Sequence, residues 1–81
     1  WVIHSPTVTS TKYWPGGLGH WANHAAVFAR CIVDGNDYGV NCFLVQIRDY
    51  EEHMPLRGVK VGDLGPKLGY QSKDNGWLMF D

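Results

Sequence analysis

The stretch KYWPGGLGHWANHA, residues 12 to 25, combines residue types that could contact a cofactor or a metal ion. It contains two tryptophans, one proline, three glycines and two histidines between apolar segments. Clustered glycines are expected where the chain turns sharply or must approach another group with no Cβ in between. That group could be a phosphate, a flat ring or another strand.

A phosphate is suggested by one short pattern in this stretch. The residues from Gly17 to Ala22 match G-x-G-x-x-G/A, and Asp37 follows Gly17 by twenty positions. Dinucleotide binding by this pattern requires a strand that runs straight into the glycines and a helix that starts after them. Here Tyr13-Trp14-Pro15 precedes the glycines and Asp37 falls in a predicted turn. The context therefore argues against a Rossmann site.

Metal ligands and nucleophiles give no recognisable site. The chain has six potential nitrogen and sulfur ligands: His4, His20, His24, His53, Cys31 and Cys42. No pair has the spacing of a zinc finger, and His20 and His24 would share a face only in a helix. No Ser or Cys is visibly coupled to a base, so nucleophilic catalysis lacks support. We predict no metal site and assign no catalytic residue.

Two apolar runs, Ala25 to Val33 and Val40 to Arg48, are predicted to pair as a β-hairpin. The six residues between them, DGNDYG, are typical of a turn. Pairing Asp34 with Gly39 would set Cys31 opposite Cys42, Ala29 opposite Leu44 and Phe28 opposite Val45. Cysteines directly opposite in a ladder fit a disulfide poorly, which favours two free thiols. A helix from Ala25 to Val33, capped by Asn23, is the alternative.

Further short strands are predicted around this hairpin. The β-branched or apolar segments are Trp1 to His4, Thr7 to Thr11, Gly58 to Val61 and Gly76 to Phe80. Glycine and proline punctuate the intervals between them. The pattern predicts an all-β, antiparallel, barrel-like or sandwich fold.

Length and charge limit the class of protein. The 81 residues suffice for a single domain, residues 1 to 81, with a small core. Seven basic and eight acidic residues give a net charge of -1, which argues against a nucleic-acid partner. No apolar run approaches the roughly 20 residues of a membrane span. Because the chain opens on Trp1 and stops just after an apolar run, we expect both ends to cut through structure.

Five segments in this order and spacing closely resemble the central domain of peroxisomal acyl-CoA oxidases. They are HSPTVTSTKYWPGGLG, NHAAVFAR, YGVNCFLVQIRD, GVKVGDLGPKLGY and DNGWLMFD, which together cover nearly the whole chain. The resemblance implies most of a central β-barrel domain, incomplete here, with the helical N- and C-terminal domains of the parent enzyme outside these residues.

The resemblance also implies a cofactor site in the glycine stretch. In this family the corresponding loop lies against the flavin of FAD, so Gly16 would present its backbone amide to the N5/O4 edge of the ring. Trp14 would pack near the ring, Pro15 would stiffen the approach and Gly17 would leave room for the turn. A planar electron acceptor favours aromatic neighbours and backbone donors, which agrees with this assignment.

For the parent enzyme the resemblance implies desaturation of a fatty acyl-CoA to a trans-2-enoyl-CoA in peroxisomal β-oxidation. Electrons pass through FAD to O2, which gives H2O2. The catalytic base lies outside these residues, so we expect the isolated chain to be inactive, and the full-length enzyme to be a homodimer. The alternative is a non-catalytic β-barrel binding module that shares only the scaffold.

Overall fold

The computed structural model describes residues 1 to 81 and consists of two antiparallel sheets. Its strands are β1 (Lys12–Gly16), β2 (His24–Val33), β3 (Asn36–Gln46), β4 (Val59–Asp63) and β5 (Asn75–Phe80). One sheet has the order β1-β5-β4, and the other is the β2-β3 hairpin. The all-β antiparallel prediction is confirmed. No helix in the chain is long and apolar enough to cross a bilayer.

The hairpin forms between the two predicted runs, but around a tighter turn than predicted. Val33 pairs with Asn36, so only Asp34 and Gly35 lie between the strands. Both have positive φ, 50° and 79°, as a two-residue turn of the I′ kind requires. Asp-Gly is among the dipeptides that favour this turn, because its glycine tolerates positive φ and Asp tolerates it better than most residues. The helical alternative for this segment is wrong.

The tighter turn overturns the predicted cross-strand partners. Cys42 pairs with Phe28, whereas Cys31 lies between the paired residues Arg30 and Ile32, where the register shifts. The predicted pairings of Cys31 with Cys42, of Ala29 with Leu44 and of Phe28 with Val45 are therefore wrong. They assumed a four-residue loop. The two-residue turn moves the partners of Ile32 and Val33 by four positions, and the irregularity at Cys31 reduces the shift to three along the rest of the ladder. Both cysteines are free thiols.

The N-terminal residues do not form the strands expected of them. Thr7 to Thr11 contains a short 3-10 helix, Val8–Ser10, instead of a strand. The Thr11 hydroxyl donates to the Val8 carbonyl at 2.6 Å, a local bond that competes with sheet pairing. Trp1 to His4 lies outside every strand. The predicted strands at Gly58 to Val61 and Gly76 to Phe80 are present as β4 and β5, each with slightly different ends.

A small core joins the two sheets. Its five buried members are Leu18, Val27, Ile47, Leu78 and Phe80. They come from the glycine stretch, the hairpin, the residue after β3 and the central strand β5. Burial of these side chains therefore fixes the glycine stretch against both sheets, since apolar contacts are the main source of stability.

We expect Gly35→Ala to lower the opening free energy of the β2 and β3 amides by about 1 kcal/mol, because an L-residue is strained at positive φ. Hydrogen exchange of those amides measures this energy locally. Gly69→Ala is the matched control: like Gly35, Gly69 has open space around its Cβ position, but it lacks a positive φ. Equal effects of the two substitutions would contradict the turn assignment.

Candidate functional site: the glycine stretch and its supports

The glycine stretch begins in β1, where a bulge interrupts the pairing with β5. Tyr13 pairs with Trp77 and Gly16 with Asn75, so Trp14 and Pro15 stand opposite the single residue Gly76. A bulge of this kind re-aims side chains and is common beside active sites. Pro15 fits there because a proline cannot donate to a ladder.

Trp14 has a strained backbone. Its φ is 91°, a value that L-residues rarely adopt. Strain of this type costs on the order of 1 to 3 kcal/mol and persists only where neighbouring structure enforces it. The Trp14 carbonyl accepts a 2.7 Å hydrogen bond from Nδ2 of Asn75, which is one such constraint.

Trp14, Pro15 and Gly16 form an exposed surface on the edge strand. Trp14 remains 49% exposed, although large aromatic rings usually bury most of their area. Gly16 is also exposed. A Cβ at Gly16 would meet the flexible end of Lys73, with Cε at 2.7 Å, and would contact the Asp74 carbonyl oxygen at 3.9 Å. The next residue, Gly17, has a φ of 76° and donates its N–H to the Asp74 carbonyl at 2.6 Å.

The carboxylate of Asp74 binds the backbone N–H groups of the turn after Gly17. The N–H groups of Gly19, His20 and Trp21 donate to Asp74 at 2.9, 2.9 and 3.1 Å. Partial burial raises the pKa of Asp74, but these three backbone donors outweigh it, so the pKa is lower than usual. The charged carboxylate is therefore the form that the turn binds.

The buried side chain of Arg48 binds the carbonyl groups of the same turn. Its guanidinium donates to the carbonyls of Leu18, Gly19 and Ala22 at 3.1, 2.9 and 2.8 Å. No carboxylate pairs with it. Arg48 is thus a buried cation compensated by three peptide dipoles, which the rigid fork of donors in arginine makes possible.

The structure brings together the predicted cofactor residues Trp14, Pro15, Gly16 and Gly17 but not a dinucleotide site. The chain turns after Gly17 without forming an α-helix, and Asp37 lies at the hairpin, where it accepts from Gly39 and Arg30. The G-x-G-x-x-A match is therefore coincidental.

The six histidines and cysteines do not form one cluster. His20 instead lies 3.5 Å from Asp63, and these two residues group with Asp74. His24 contacts the Tyr50 hydroxyl, and His53 contacts the His20 carbonyl. Both oxygens of Asp74 already accept backbone donors, so this group is accounted for as support of the turn.

Sequence reasoning missed Asp74, Asn75 and Arg48, which hold the stretch in place. Asp74, Asn75 and Gly76 resembled ordinary turn residues, and Arg48 resembled the exposed end of a strand. Their partners lie 26 to 61 residues away, so no local pattern links them. The antiparallel placement of β5 beside β1 brings Asp74 and Asn75 to the site, and Arg48 reaches it from the end of the hairpin.

Known proteins contain a similar segment. Peroxisomal acyl-coenzyme A oxidase 1 of Arabidopsis thaliana is 55% identical over 83 residues, which cover 99% of this chain and 12% of the relative. The structure of an acyl-CoA oxidase from Lycopersicon esculentum (tomato) is 63% identical with a TM-score of 0.95, over 99% of this chain and 13% of that one. The chain matches a segment of the acyl-CoA oxidases. The resemblance inferred from sequence is confirmed.

A third similar protein is an acyl-CoA oxidase whose structure contains bound ligands. Acyl-CoA oxidase-2 of Caenorhabditis elegans, solved with FAD, ascaroside-CoA and ATP, is 49% identical with a TM-score of 0.95. That match covers 99% of this chain and 12% of the other. No protein-family model matches the chain. The chain spans about one eighth of the length of these acyl-CoA oxidases, which are several times larger.

We expect the hydrogen bonds between Asp74 and the turn to weaken in acid. The pKa of Asp74 is lower in the folded state than the ordinary 3.8, so its contribution to the stability of the turn is complete above pH 3.8. The contribution is lost as the pH falls through the folded-state pKa. Asp74→Asn should reduce hydrogen-exchange protection of the Gly19, His20 and Trp21 amides near neutral pH, and the difference from wild type should shrink at about pH 3.

Asp49→Asn is the control for this prediction. Asp49 similarly accepts from the N–H groups of Glu51, Glu52 and Met54, and its pKa is also lowered. Its replacement should affect that loop and leave the amides of residues 19 to 21 unchanged. A constant difference between wild type and Asp74→Asn at both pH values would contradict the assignment.

Proposed function

We propose that these 81 residues provide most of the central β domain of an FAD-dependent acyl-CoA oxidase, with Trp14, Pro15, Gly16 and Gly17 in contact with the flavin. The observation that carries the proposal is the exposed Trp14 at a φ of 91° inside a bulge. Neither feature helps the fold of this chain, since the strain is unfavourable and Trp14 is 49% exposed. Both suit a planar ligand that packs on this surface.

The residues present fit a flavin. The indole of Trp14 offers a flat apolar face, and Pro15 restricts the backbone that carries it. Gly16 has no Cβ to separate its backbone from a ring, and only the mobile end of Lys73 lies over it. Gly17 supplies the positive φ with which the chain turns away from the surface. Bound FAD would supply the electron-accepting chemistry, and this chain would orient the ring.

The activity of the whole protein follows from the likeness to acyl-CoA oxidases. We propose that it desaturates a fatty acyl-CoA and passes the electrons to O2, in peroxisomal β-oxidation. The relatives named as peroxisomal support this placement. The helical domains and the catalytic base lie outside these residues, so the isolated chain has no activity of its own. On the resemblance alone, we propose a homodimer.

We expect Gly16→Val to lower the turnover of the full-length oxidase by about a hundredfold, because displacement of the ring by about 1 Å disturbs hydride transfer. The fold should tolerate the change, since the added Cβ comes too close only to the flexible end of Lys73, and its contact with the Asp74 carbonyl is an ordinary one. FAD content, the flavin absorption spectrum and oxygen consumption with acyl-CoA measure the effect.

Gly69→Val is the matched control, since it makes the same change at a glycine with open space and no positive φ. It should leave FAD content and turnover near wild type. If Gly16→Val also kept its flavin spectrum and turnover, the assignment of this surface to FAD would be withdrawn. A full-length protein that neither holds flavin nor consumes oxygen would favour the binding-module alternative.

We expect Trp14→Gly to separate stability from activity. Glycine adopts positive φ freely, so thermal stability should be retained or should rise, by up to about 1 kcal/mol. Turnover should fall because the ring loses its aromatic neighbour. Thermal unfolding and steady-state oxygen consumption provide the two measurements. A loss of stability with full activity would show that the indole serves the fold rather than the cofactor.

A further inference from the structure

Asn75 is a buried polar residue directly behind the proposed flavin surface. It is 4% exposed, begins β5 and pairs with Gly16 across the sheet. Its Nδ2 donates to the Trp14 carbonyl at 2.7 Å, whereas its Oδ1 is buried without any hydrogen-bond partner. Burial of an unpaired acceptor is unfavourable, so this amide is not explained by stability alone.

Because Oδ1 has no partner, the role of the Asn75 amide must lie in its donor, Nδ2. Oδ1 has almost no accessible surface and therefore cannot itself bind a ligand. Nδ2 bonds to the carbonyl of the strained residue, and the same bond fixes the orientation of the Trp14–Pro15 peptide. An apolar side chain would fill this site without an orphan acceptor, but it could not hold that carbonyl.

The neighbours of Asn75 immobilise it against the same stretch. The Asp74 carbonyl accepts from Gly17, and its carboxylate binds the turn that follows. At Gly76 a Cβ would lie 2.6 Å from the Gly19 nitrogen and 2.6 Å from the Gly62 carbonyl oxygen. The start of β5 therefore approaches the glycine stretch as closely as a backbone can.

We infer that Asn75 is a positioning residue for the flavin, which acts through the Trp14 carbonyl to hold Trp14 and Gly16 at the ring. This inference rests on the proposed function and adds to it a residue that touches neither flavin nor substrate. Loss of the Nδ2 donor would let the bulge relax and move the indole and the Gly16 backbone. Hydride transfer depends steeply on such displacements.

The test uses Asn75→Leu in the full-length oxidase, a change of similar size that removes both the donor and the orphan acceptor. We expect flavin reduction by saturating acyl-CoA, followed anaerobically by stopped flow, to slow by between tenfold and a hundredfold, on the order expected for a displacement of about 1 Å. The visible flavin spectrum should shift, while KM for acyl-CoA changes little. Gly35→Ala, which strains the turn of the hairpin, is the control for stability and should leave both readouts unchanged.

Asn75→Asp provides a second, independent readout should the leucine variant fail to fold. The introduced carboxyl has a donor only when protonated, and its burial beside a carbonyl raises its pKa. The flavin-reduction rate of this variant, divided by that of wild type, should therefore rise as the pH is lowered from about 8 to about 6.

The outcomes distinguish this inference from the proposed function. A wild-type rate and spectrum in Asn75→Leu, or a pH-independent ratio in Asn75→Asp, would overturn the positioning role while an impaired Gly16→Val kept the flavin assignment. If Gly16→Val and Asn75→Leu both behaved as wild type, the proposed function would fail with the inference.

Discussion

The turn from Gly17 to Ala22 is held between a carboxylate and a guanidinium, and the rest of the structure is arranged around that pair of contacts. Asp74 binds three successive N–H groups, and Arg48 binds three carbonyls of the same turn. A turn has neither a ladder nor a helix to satisfy its peptide groups, so they must find other partners when buried. Here two charged side chains supply six of them, and backbone groups and His53 supply others.

These contacts tie the two sheets together as well as the turn. Asp74 directly precedes β5, the central strand of the three-stranded sheet, and Arg48 follows the hairpin strand β3 by two positions. Leu18, between the two groups of contacts, is buried in the core with residues of both sheets. The contacts of Asp74 and Arg48 therefore hold the turn next to the exposed Trp14–Gly16 surface, and this surface can shift only if one of the two residues loses its partners.

Local patterns predicted the strands well but predicted their relative positions poorly. The hairpin is predictable from the apolar runs of β2 and β3 and from the Asp-Gly dipeptide. All six residues between the runs are typical of turns, however, so the sequence does not show which two form the turn. β1 was hidden because its proline and glycines are typical of loops, and only the bulge opposite Gly76 allows them in a strand. Trp14 to Gly17 were assigned to a cofactor only through the family resemblance and stay a prediction, whereas the roles of Asp74, Asn75 and Arg48 depend on contacts between distant parts of the chain.

Arg48 and Asp74 form no ion pair, and yet they bind opposite ends of the same two peptide groups, Leu18–Gly19 and Gly19–His20. These two peptides are thus polarised between a fixed positive and a fixed negative charge, as a dielectric layer is between two plates. If either charge is neutralised, those dipoles still face the other charge but lose the charged partner at their opposite end. The two residues should therefore be energetically coupled across the turn, so that their losses are not additive. Such a layer resists reorientation, which would be a useful property if this backbone supports a redox centre, as proposed above.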